Sequence, residues 1–568
     1  RNIAQNEISR KLAHSSGVIV LSGAAGCGKT KVSLEWAKLT GAKKIIWVCP
    51  RVQVCEGLFL DLTSKEYLPN IRIEICTGSL KFVHENGVKR DTVEGEEFAG
   101  DIVLTTVDQV VGSIITHRNV TSLIDFMFSH VVFDEYHEYV NMDVFNLLFA
   151  ELIGCKAMQD SAKVLLVSAT PHYLYLKDIL DIDENSIHCL DSFNQCQYRI
   201  VCESFKESDR NNNPLFTAQP DNSIVISNTA TTAQKSFICN QDIENAILFH
   251  SKFTNKDQIY LFEAVFNSFK QNGTREFSIL RSGPIVQAAL NITCENMVSE
   301  LTSPDNTLQR LGRLNRFGEM TSISRYTIAV PESILISKKS YCAEFLRRLN
   351  LLESAKAWHS FLQKNKIFDQ NITLKQLYSL YYSFHHDTQG KKALSEDLFS
   401  ALKQSAKLIA DRILEPVKFK ANNRQKRKIS KNSLRGSSRF VQLAVCEASA
   451  SQRKHLDQYA CSVDNTMTYP LEYLCCDNRA NSVLDFMARK HSNIMQAKGQ
   501  KTYASKYVTI LKNMSVDENY PIYTSYTQQD LNLLGHNNNP CPGAIYYIIT
   551  QKQAVGAMTN KNLEDIYK

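Results

Sequence analysis

Long apolar runs are missing from this 568-residue chain, and none approaches the roughly 18 residues that a membrane-spanning helix needs. The N-terminus has neither an apolar signal core nor an initiator methionine, so we expect a cytoplasmic protein with no membrane partner and suspect a piece of a longer chain. The 16 cysteines form no Cys-x-x-Cys pair, which favours reduced thiols. The group most suggestive of a metal site is His188, Cys189, Cys196 and Cys202, but its spacing fits neither a zinc ribbon nor a zinc finger.

Acidic residues are absent from one strongly basic segment. Lys418–Arg439 contains nine lysines and arginines and no acid, which exceeds the net charge of +7 carried by the whole chain. Such a run is either a solvated linker or a contact with a phosphate backbone. The basic run by itself does not choose between the two.

Short β-branched runs alternate with helical stretches over the first 335 residues. This alternation predicts an α/β fold, and each run is apolar almost throughout, as buried parallel strands are. Two series of strands predict two α/β lobes in tandem. The first series is Gly17–Ser22, Lys44–Cys49, Arg72–Cys76, Asp101–Thr106, His130–Glu135 and Lys163–Ala169, and the second is Tyr198–Ser204, Ser223–Asn228, Asn245–Ser251, Glu276–Ser282 and Arg325–Val330.

The pattern changes after the second series. Apolar residues recur at helical spacing from about Ser333 to Val417, with no strand signal between them. A mixed region follows the basic segment, and "RFVQLAVC" and "GAIYYIIT" within it are typical of strands. We therefore expect a helical linker and then a smaller α+β domain.

The segment "SGAAGCGKT" matches the phosphate-loop pattern G-x-x-x-x-G-K-[ST] between a predicted strand and a predicted helix. Its glycines, Gly23, Gly26 and Gly28, let backbone N–H groups converge on phosphate oxygens at a helix N-terminus. Lys29 is expected to reach the β- and γ-phosphates of ATP, and Thr30 to ligate Mg²⁺. The segment predicts a nucleotide site.

An apolar strand in "HVVFDEYHE" ends in two adjacent carboxylates. Asp134 is expected to hold Mg²⁺, and Glu135 to orient and deprotonate the attacking water, because both tasks need a carboxylate beside the metal. In "LLVSATP", Ser168 and Thr170 end another strand and are predicted, with His137, to couple the carboxylates to the release of phosphate.

The segment "QRLGRLNR" lies in the second series and is predicted to be one helical segment. Arg313 and Arg316, at i and i+3, would then share a face. A guanidinium supplied from a second lobe stabilises the charge on a transferring phosphoryl group. The order of these four segments predicts a motor driven by nucleotide hydrolysis.

In this order, "DEYH", "SAT" and "QRLGRLNR" resemble a superfamily 2 helicase of the DExH type, and "VLTTVDQVV", "LFHSKFTNKD", "LQRLGRLNRFGE" and "YYIITQKQAVG" resemble the CRISPR-associated helicase–nuclease of type I interference. The resemblance implies two RecA-like lobes, at residues 1–178 and 179–335, a linker over 336–439 and a C-terminal domain over 440–568. It implies ATP- and Mg²⁺-dependent 3′-to-5′ movement on single-stranded DNA that an RNA-guided surveillance complex delivers.

The resemblance also implies roles for single residues. Gln5 would read adenine, and Gln309 would contact the γ-phosphate or the attacking water. The DNA path would include Arg51, Gly78, Thr106, Gln109, Asn228 and Thr229.

Two departures from the family pattern stand out. Gln287 and Asn291 occupy the fifth motif, where the family usually has acids. The family also has an HD-type nuclease, whereas the adjacent pair His386-Asp387 has no matching set of metal ligands, so we expect the nuclease before Arg1 or on another chain. Two alternatives stay open, a viral-type DExH RNA helicase and an ATP-gated scaffold that does not unwind.

Overall fold

The computed structural model describes residues 2–63, 68, 70–78, 80–93, 95–116, 120–159, 163–287, 290–320, 322–336, 340–414, 440–444, 466–470, 522–523, 526–527, 545–550, 552–559, 562 and 565. The chain forms two compact units. The first contains Arg1–Asp209 and Gln287–Arg412, and the second contains Arg210–Val286 and Ile413–Lys568. Within the described residues, no helix has both the length and the apolar character that crossing a membrane requires.

A nine-stranded sheet forms the centre of the first unit. Its strands are β1 (Val18–Gly23), β2 (Ile45–Cys49), β3 (Ile73–Cys76), β4 (Lys81–Glu85), β5 (Val88–Asp91), β6 (Ile102–Thr106), β7 (His130–Asp134), β8 (Val164–Ser168) and β9 (Ile187–Leu190). The order is β5-β4-β3-β6-β2-β7-β8-β1-β9, and the pairs are parallel except in the β3-β4-β5 edge. This order places the ends of β1, β7 and β8 side by side.

Helices pack against this sheet and bury its faces. They are α1 (Asn2–His14), α2 (Lys29–Leu39), α3 (Val52–Thr63), α4 (Val107–Thr116), α5 (Val120–Phe128), α6 (His137–Val140), α7 (Phe145–Ala157) and α8 (Tyr173–Asp178), with a 3₁₀ turn at Glu184–Ser186. The core includes Trp36 of α2 and Trp47 of β2, both fully buried. The central strands are apolar on both faces because helices cover both, which is the predicted α/β arrangement.

Later strands form the second parallel-dominated part of the fold and are divided between the two units. They are β10 (Gln197–Phe205), β11 (Ser223–Ile226), β12 (Ala246–Phe249), β13 (Ile279–Ser282), β14 (Asn296–Glu300), β15 (Ser324–Pro331) and β16 (Asn371–Thr373). In the first unit the order is β14-β15-β10-β16, with only β16 antiparallel, and in the second it is β12-β13-β11, all parallel.

The expectation of no strand within the helical linker was wrong. β16 is a three-residue edge strand that pairs with β10, and such a short strand carries no periodicity of its own. The helices of this part are α9 (Ala230–Asn240), α10 (Asn255–Phe269), α11 (Pro304–Leu311), α12 (Glu332–Ile336), α13 (Tyr341–Arg348), α14 (Leu352–Lys364), α15 (Leu374–His386) and α16 (Thr388–Leu414), with a 3₁₀ turn at Pro284–Val286.

Six short strands of the second unit lie near the C-terminus. They are β17 (Phe440–Ala444), β18 (Thr466–Pro470), β19 (Ile522–Tyr523), β20 (Tyr526–Thr527), β21 (Ile545–Ile549) and β22 (Ala554–Thr559), in the orders β18-β17-β19 and β20-β21-β22. The antiparallel pair β21–β22 docks on α9, where Gln234 donates to the carbonyls of Val555 and Ala557 at 3.0 Å each. The basic segment Lys418–Arg439 lies outside the described residues. The predicted domain boundaries stay predictions.

Candidate nucleotide site

The phosphate loop connects β1 to α2 in the first unit. Gly26 and Gly28 have φ angles of +77° and +89°, a left-handed backbone that favours glycine. At Gly28 space is also short, because a Cβ atom there would lie 2.2 Å from Nε2 of Gln5. Lys29 bends back over the loop, and its Nζ donates to the carbonyl of Gly23 at 2.8 Å. The loop has the tight curvature that directs N–H groups inward.

Gln5 lies on α1 directly against this loop. Its side chain is 3% exposed, and its Nε2 donates to the carbonyl of Cys27 at 2.8 Å. The structure therefore brings Gln5 to the phosphate loop, while its predicted contact with adenine stays a prediction.

The two predicted carboxylates follow β7 in the centre of the sheet. Nε1 of Trp47 donates to Asp134 at 3.4 Å, and Glu135 adopts a left-handed backbone with φ of 47°, a strained conformation for a residue with a Cβ. Burial, reinforced by the neighbouring charge of Glu135, raises the pKa of Asp134. Burial also acts to raise the pKa of Glu135, but the charges of Lys29 and His137 outweigh it and hold that pKa below its ordinary value. Glu135 is therefore the ionised member of the pair.

A hydrogen-bonded cluster joins the predicted coupling residues to Gln309. Nδ1 of His137 lies 2.8 Å from Oγ of Ser168, which also accepts from the backbone N–H of Thr170 at 2.9 Å. Nε2 of Gln309 lies 3.2 Å from Nε2 of His137, 3.4 Å from Glu135 and 3.4 Å from Oγ1 of Thr170. Three segments that are far apart in sequence thus meet around one carboxylate.

The prediction that "QRLGRLNR" is one helical segment was wrong. α11 ends at Leu311, and Asn315 takes a left-handed backbone with φ of 43°. Arg313 and Arg316 are therefore carried by a turn, and the argument from helical spacing does not apply to them. They still lie near Glu135, whose negative charge acts on both.

Gln287 and Asn291, the residues that depart from the family's acids, hold these arginines. Oε1 of Gln287 accepts from Nε of Arg310 at 3.0 Å, and its backbone carbonyl accepts from Arg313 at 2.8 Å. Oδ1 of Asn291 accepts from Arg316 at 2.8 Å. Neutral acceptors position the guanidinium groups without neutralising them.

The charge balance of the site fits an anion. Burial lowers the pKa of Arg313, and the neighbouring charge of Arg316 lowers it further, while Glu135 opposes both effects. Nε of Arg313 is buried and has no hydrogen-bond partner among the described residues. Unpaired buried donors are costly, so this one fits a site completed by a ligand oxygen.

The site also suits a divalent cation bound with phosphate. A cation beside Asp134 would reverse the raised pKa of that buried carboxyl group. Mg²⁺ keeps several waters and uses one or two protein oxygens with phosphates, so the two predicted ligands, Thr30 and Asp134, would be enough to hold it. When bound, it neutralises charge on the phosphates.

The predicted DNA-path residues of the first unit fall into three settings. Arg51 is paired with Glu138, with Nε and Oε2 3.0 Å apart. Gly78 lies beside Gln109, because a Cβ on Gly78 would be 3.5 Å from Nε2 of Gln109. Thr106 is buried at the end of β6. Their proposed contact with DNA stays a prediction.

Asn228 and Thr229 lie in the second unit, after β11. Asn228 is buried, and Oγ1 of Thr229 accepts from the backbone N–H of Thr232 at 3.0 Å, which caps α9. His250 of the "HSKF" segment is also buried, and its Nε2 lies 3.0 Å from the carbonyl of Val555. The C-terminal strand pair thus holds the loop that follows β12.

The remaining candidate metal ligands are dispersed. Nε2 of His188 lies 3.1 Å from Oγ of Ser15, and Sγ of Cys202 lies 3.4 Å from Nε2 of His359. His386 lies 3.4 Å from Oε1 of Glu184. Among the residues with described positions, no group of three or more His, Cys, Asp or Glu is placed to hold a metal ion.

Sequence reasoning missed two residues of the site. Trp47 lies within an apolar strand, where nothing marks its indole N–H as a donor to Asp134. Tyr378 of α15 lies near the phosphate loop, where the charges of Glu135 and Arg316 act on its phenol. Helical spacing placed α15 in the linker but gave no sign of which loop its tyrosine meets.

Family models match two segments of the chain. A DEAD/DEAH box helicase model matches residues 2–179, and a model of the C-terminal part of the CRISPR-associated nuclease/helicase Cas3 matches residues 219–319. The first segment contains the phosphate loop and both carboxylates, and the second contains Gln309, Arg313 and Arg316. The matches therefore include each side of the site.

Among curated proteins, a putative CRISPR-associated nuclease/helicase Cas3 of Methanocaldococcus jannaschii is 24% identical over 335 residues, which are 53% of this chain and 44% of the relative. The Cas3 of Methanothermobacter thermautotrophicus is 21% identical, over 52% of this chain and 38% of its own length. The matches thus span less than half the length of these relatives.

A solved structure of T. fusca Cas3 with ATP has a TM-score of 0.61 at 14% identity, and the match covers 98% of this chain and 69% of that one. At this identity the likeness establishes the fold, two RecA-like parallel-sheet lobes. Together with the two family models and the curated relatives, it makes the chain similar to helicases of the CRISPR-associated Cas3 family.

Proposed function

We propose that this protein is an ATP-dependent translocase and helicase that moves 3′ to 5′ on single-stranded DNA in type I CRISPR interference. The observation that carries the proposal is the cluster of Glu135, His137, Thr170 and Gln309 beside the buried Arg313 and the half-buried Arg316. The structure of T. fusca Cas3 solved with ATP supports ATP as the nucleotide.

The proposed hydrolysis follows from the charges of this cluster. Glu135 is ionised and accepts protons, so it would take the proton of the attacking water. Gln309, within 3.4 Å of Glu135, would orient that water. Arg313 and Arg316 would stabilise charge on the transferring phosphoryl group, and Lys29 would leave its carbonyl partner for the phosphates. Thr30 and Asp134 would hold Mg²⁺.

Release of the phosphate would shift Ser168 and Thr170, at the end of β8. His137 contacts both Ser168 and Gln309, so a shift of either changes the other. Such bistable contacts convert hydrolysis into movement. The DNA would contact the predicted path residues through its backbone, which suits movement on any sequence.

The proposed partners are single-stranded DNA, an RNA-guided surveillance complex and an HD-type nuclease domain. A chain of a solved CRISPR RNA-guided surveillance complex in its pre-nicking state matches this one with a TM-score of 0.54 at 15% identity, which supports the second partner.

The test is ATP hydrolysis measured against DNA and RNA strands of equal length and composition. We expect strong stimulation by single-stranded DNA and little by RNA. Equal stimulation by both would favour the DExH RNA helicase instead. A protein that binds ATP but hydrolyses none with either strand would be the ATP-gated scaffold.

A further inference from the structure

The linker helices contact the turn between α6 and α7, a few residues after the "DEYH" segment. The backbone N–H of Val144 donates to Oγ of Ser405 on α16 at 2.7 Å, although 261 positions separate the two residues in the sequence. Both residues are fully buried. Nδ2 of Asn350, between α13 and α14, donates to Asp143 in the same turn at 3.4 Å. The linker thus binds this turn through two side chains.

The backbone of this turn is strained at Val144. Its φ of +73° and ψ of −48° lie in a region that a β-branched residue rarely adopts, because its side chain crowds the backbone there. Strained conformations of this kind persist where the surrounding structure holds them, and they are concentrated at functional sites. The hydrogen bond to Ser405 fixes the direction of the Val144 N–H and therefore helps to hold the strained turn.

A second contact of the linker lies at the segment that follows "SAT". The hydroxyl of Tyr381 on α15 donates to the carbonyl of Pro171 at 3.2 Å, and the rings of His172 and His385 meet edge to face at 5.5 Å. Tyr381 and His385 are each 2% exposed. Because Pro171 directly follows Thr170, α15 holds the backbone next to a proposed coupling hydroxyl.

Both contacts lead to the same side chain of the nucleotide site. His137 begins α6, the helix that precedes the turn at Val144, and Thr170 precedes Pro171. The side chains of His137 and Thr170 both lie within 3.4 Å of Nε2 of Gln309. A shift of either backbone segment would therefore change the surroundings of Gln309, and displacements of about 1 Å can cost about 10²-fold in rate.

We propose that Ser405 and Tyr381 are positioning residues for ATP hydrolysis. Through Val144 and Pro171 they hold the "DEYH" and "SAT" segments in the geometry that the attack of water requires. They act through the backbone of the first unit and not on the reacting atoms. The inference rests on the proposed function, since it assumes that these two segments take part in the hydrolysis.

The test uses Ser405→Ala and Tyr381→Phe, which each remove one hydrogen bond with a small change of volume. We measure kcat and KM for ATP at saturating single-stranded DNA, and the Kd of a fluorescent ATP analogue with Mg²⁺. In each variant kcat should fall by about 2- to 12-fold, which corresponds to about 0.5–1.5 kcal/mol, the net contribution of one hydrogen bond. KM and Kd should stay at wild-type values, because the alignment matters in the transition state and not for nucleotide binding.

Each variant has a matched control on its own helix. Ser395→Ala removes an exposed hydroxyl from α16. Tyr382→Phe removes a hydroxyl from α15 at a residue that is 44% exposed and packs its ring against those of Tyr173 and His386. Both controls should keep the wild-type kcat.

Thermal unfolding of all four variants separates positioning from stability. A lower unfolding temperature with an unchanged kcat in Ser405→Ala and Tyr381→Phe would overturn the proposal, because the contacts would then only stabilise the fold. A weaker Kd with an unchanged kcat would also overturn it. If Ser405→Ala does not fold, Tyr381→Phe decides, since phenylalanine keeps the packing of the ring. A wild-type protein that hydrolyses no ATP would refute the proposed function itself, and that outcome is visible without any variant.

Discussion

Replacing Glu135 with glutamine tests the centre of the proposed mechanism. The side chain keeps its size but loses its negative charge. The site then has no proton acceptor at this position, which lies 3.4 Å from Gln309 and 3.3 Å from His137. General bases contribute about 10²–10⁴-fold to a rate, or about 3–5 kcal/mol of barrier. We therefore expect kcat for ATP hydrolysis to fall by about 10²–10⁴-fold.

The affinity for ATP, unlike kcat, should not fall. Glu135 opposes the positive charges of Lys29, Arg313 and Arg316, so its neutralisation leaves the site more positive towards an anion. The Kd for ATP should stay equal or become tighter. A variant with a reduced kcat and a retained Kd has lost its general base but is still folded, because an unfolded protein would not bind ATP.

The assay measures phosphate release at saturating single-stranded DNA and, separately, equilibrium ATP binding. Glu151→Gln is the control, since Glu151 is an exposed acid on α7 of the same unit, and both constants should stay at wild-type values. A kcat for Glu135→Gln within threefold of wild type would refute the role given to Glu135, and a much weaker Kd would refute the charge argument.

Three further predictions follow from other contacts of the structure. Arg313→Lys should lower single-turnover hydrolysis by about 10³-fold or more with ATP binding retained, because lysine lacks the planar fork; a loss below tenfold would contradict it. Gly28→Ala should weaken ATP binding, since its Cβ would lie 2.2 Å from Nε2 of Gln5 and displace that side chain from the carbonyl of Cys27, whereas Gly41→Ala, with φ of +69° and open space, should bind normally. Burial lowers the pKa of His250 from 6.5 to about 3. As the pH falls below 6.5, the unfolded chain therefore binds a proton at His250 that the folded chain does not bind, and stability is lost. The unfolding free energy should drop by about 2 kcal/mol between pH 7 and 5, and by clearly less in His250→Asn, as thermal or denaturant unfolding would measure.

The sequence predicted the elements whose local pattern is strong. The strand runs of the first series coincide with β1, β2, β3, β6, β7 and β8, because strands buried on both faces are apolar throughout. The edge strands β4 and β5 and the short β16 escaped prediction, because exposed or very short strands carry no apolar run. β14 escaped it too, although it is mostly buried.

The phosphate loop and the carboxylates at the end of β7 could be read from residue order alone, since their chemistry needs fixed residue types at fixed local spacing. The sequence alone also singled out Arg313 and Arg316. It predicted them on a helix, whereas they lie in the turn after Leu311. Only the tertiary structure decided that Gln287 and Asn291 hold these arginines, that Trp47 meets Asp134 and that Tyr378 lies near the phosphate loop. These contacts join segments far apart in the chain, and packing of whole elements, which leaves no local pattern, brings them together.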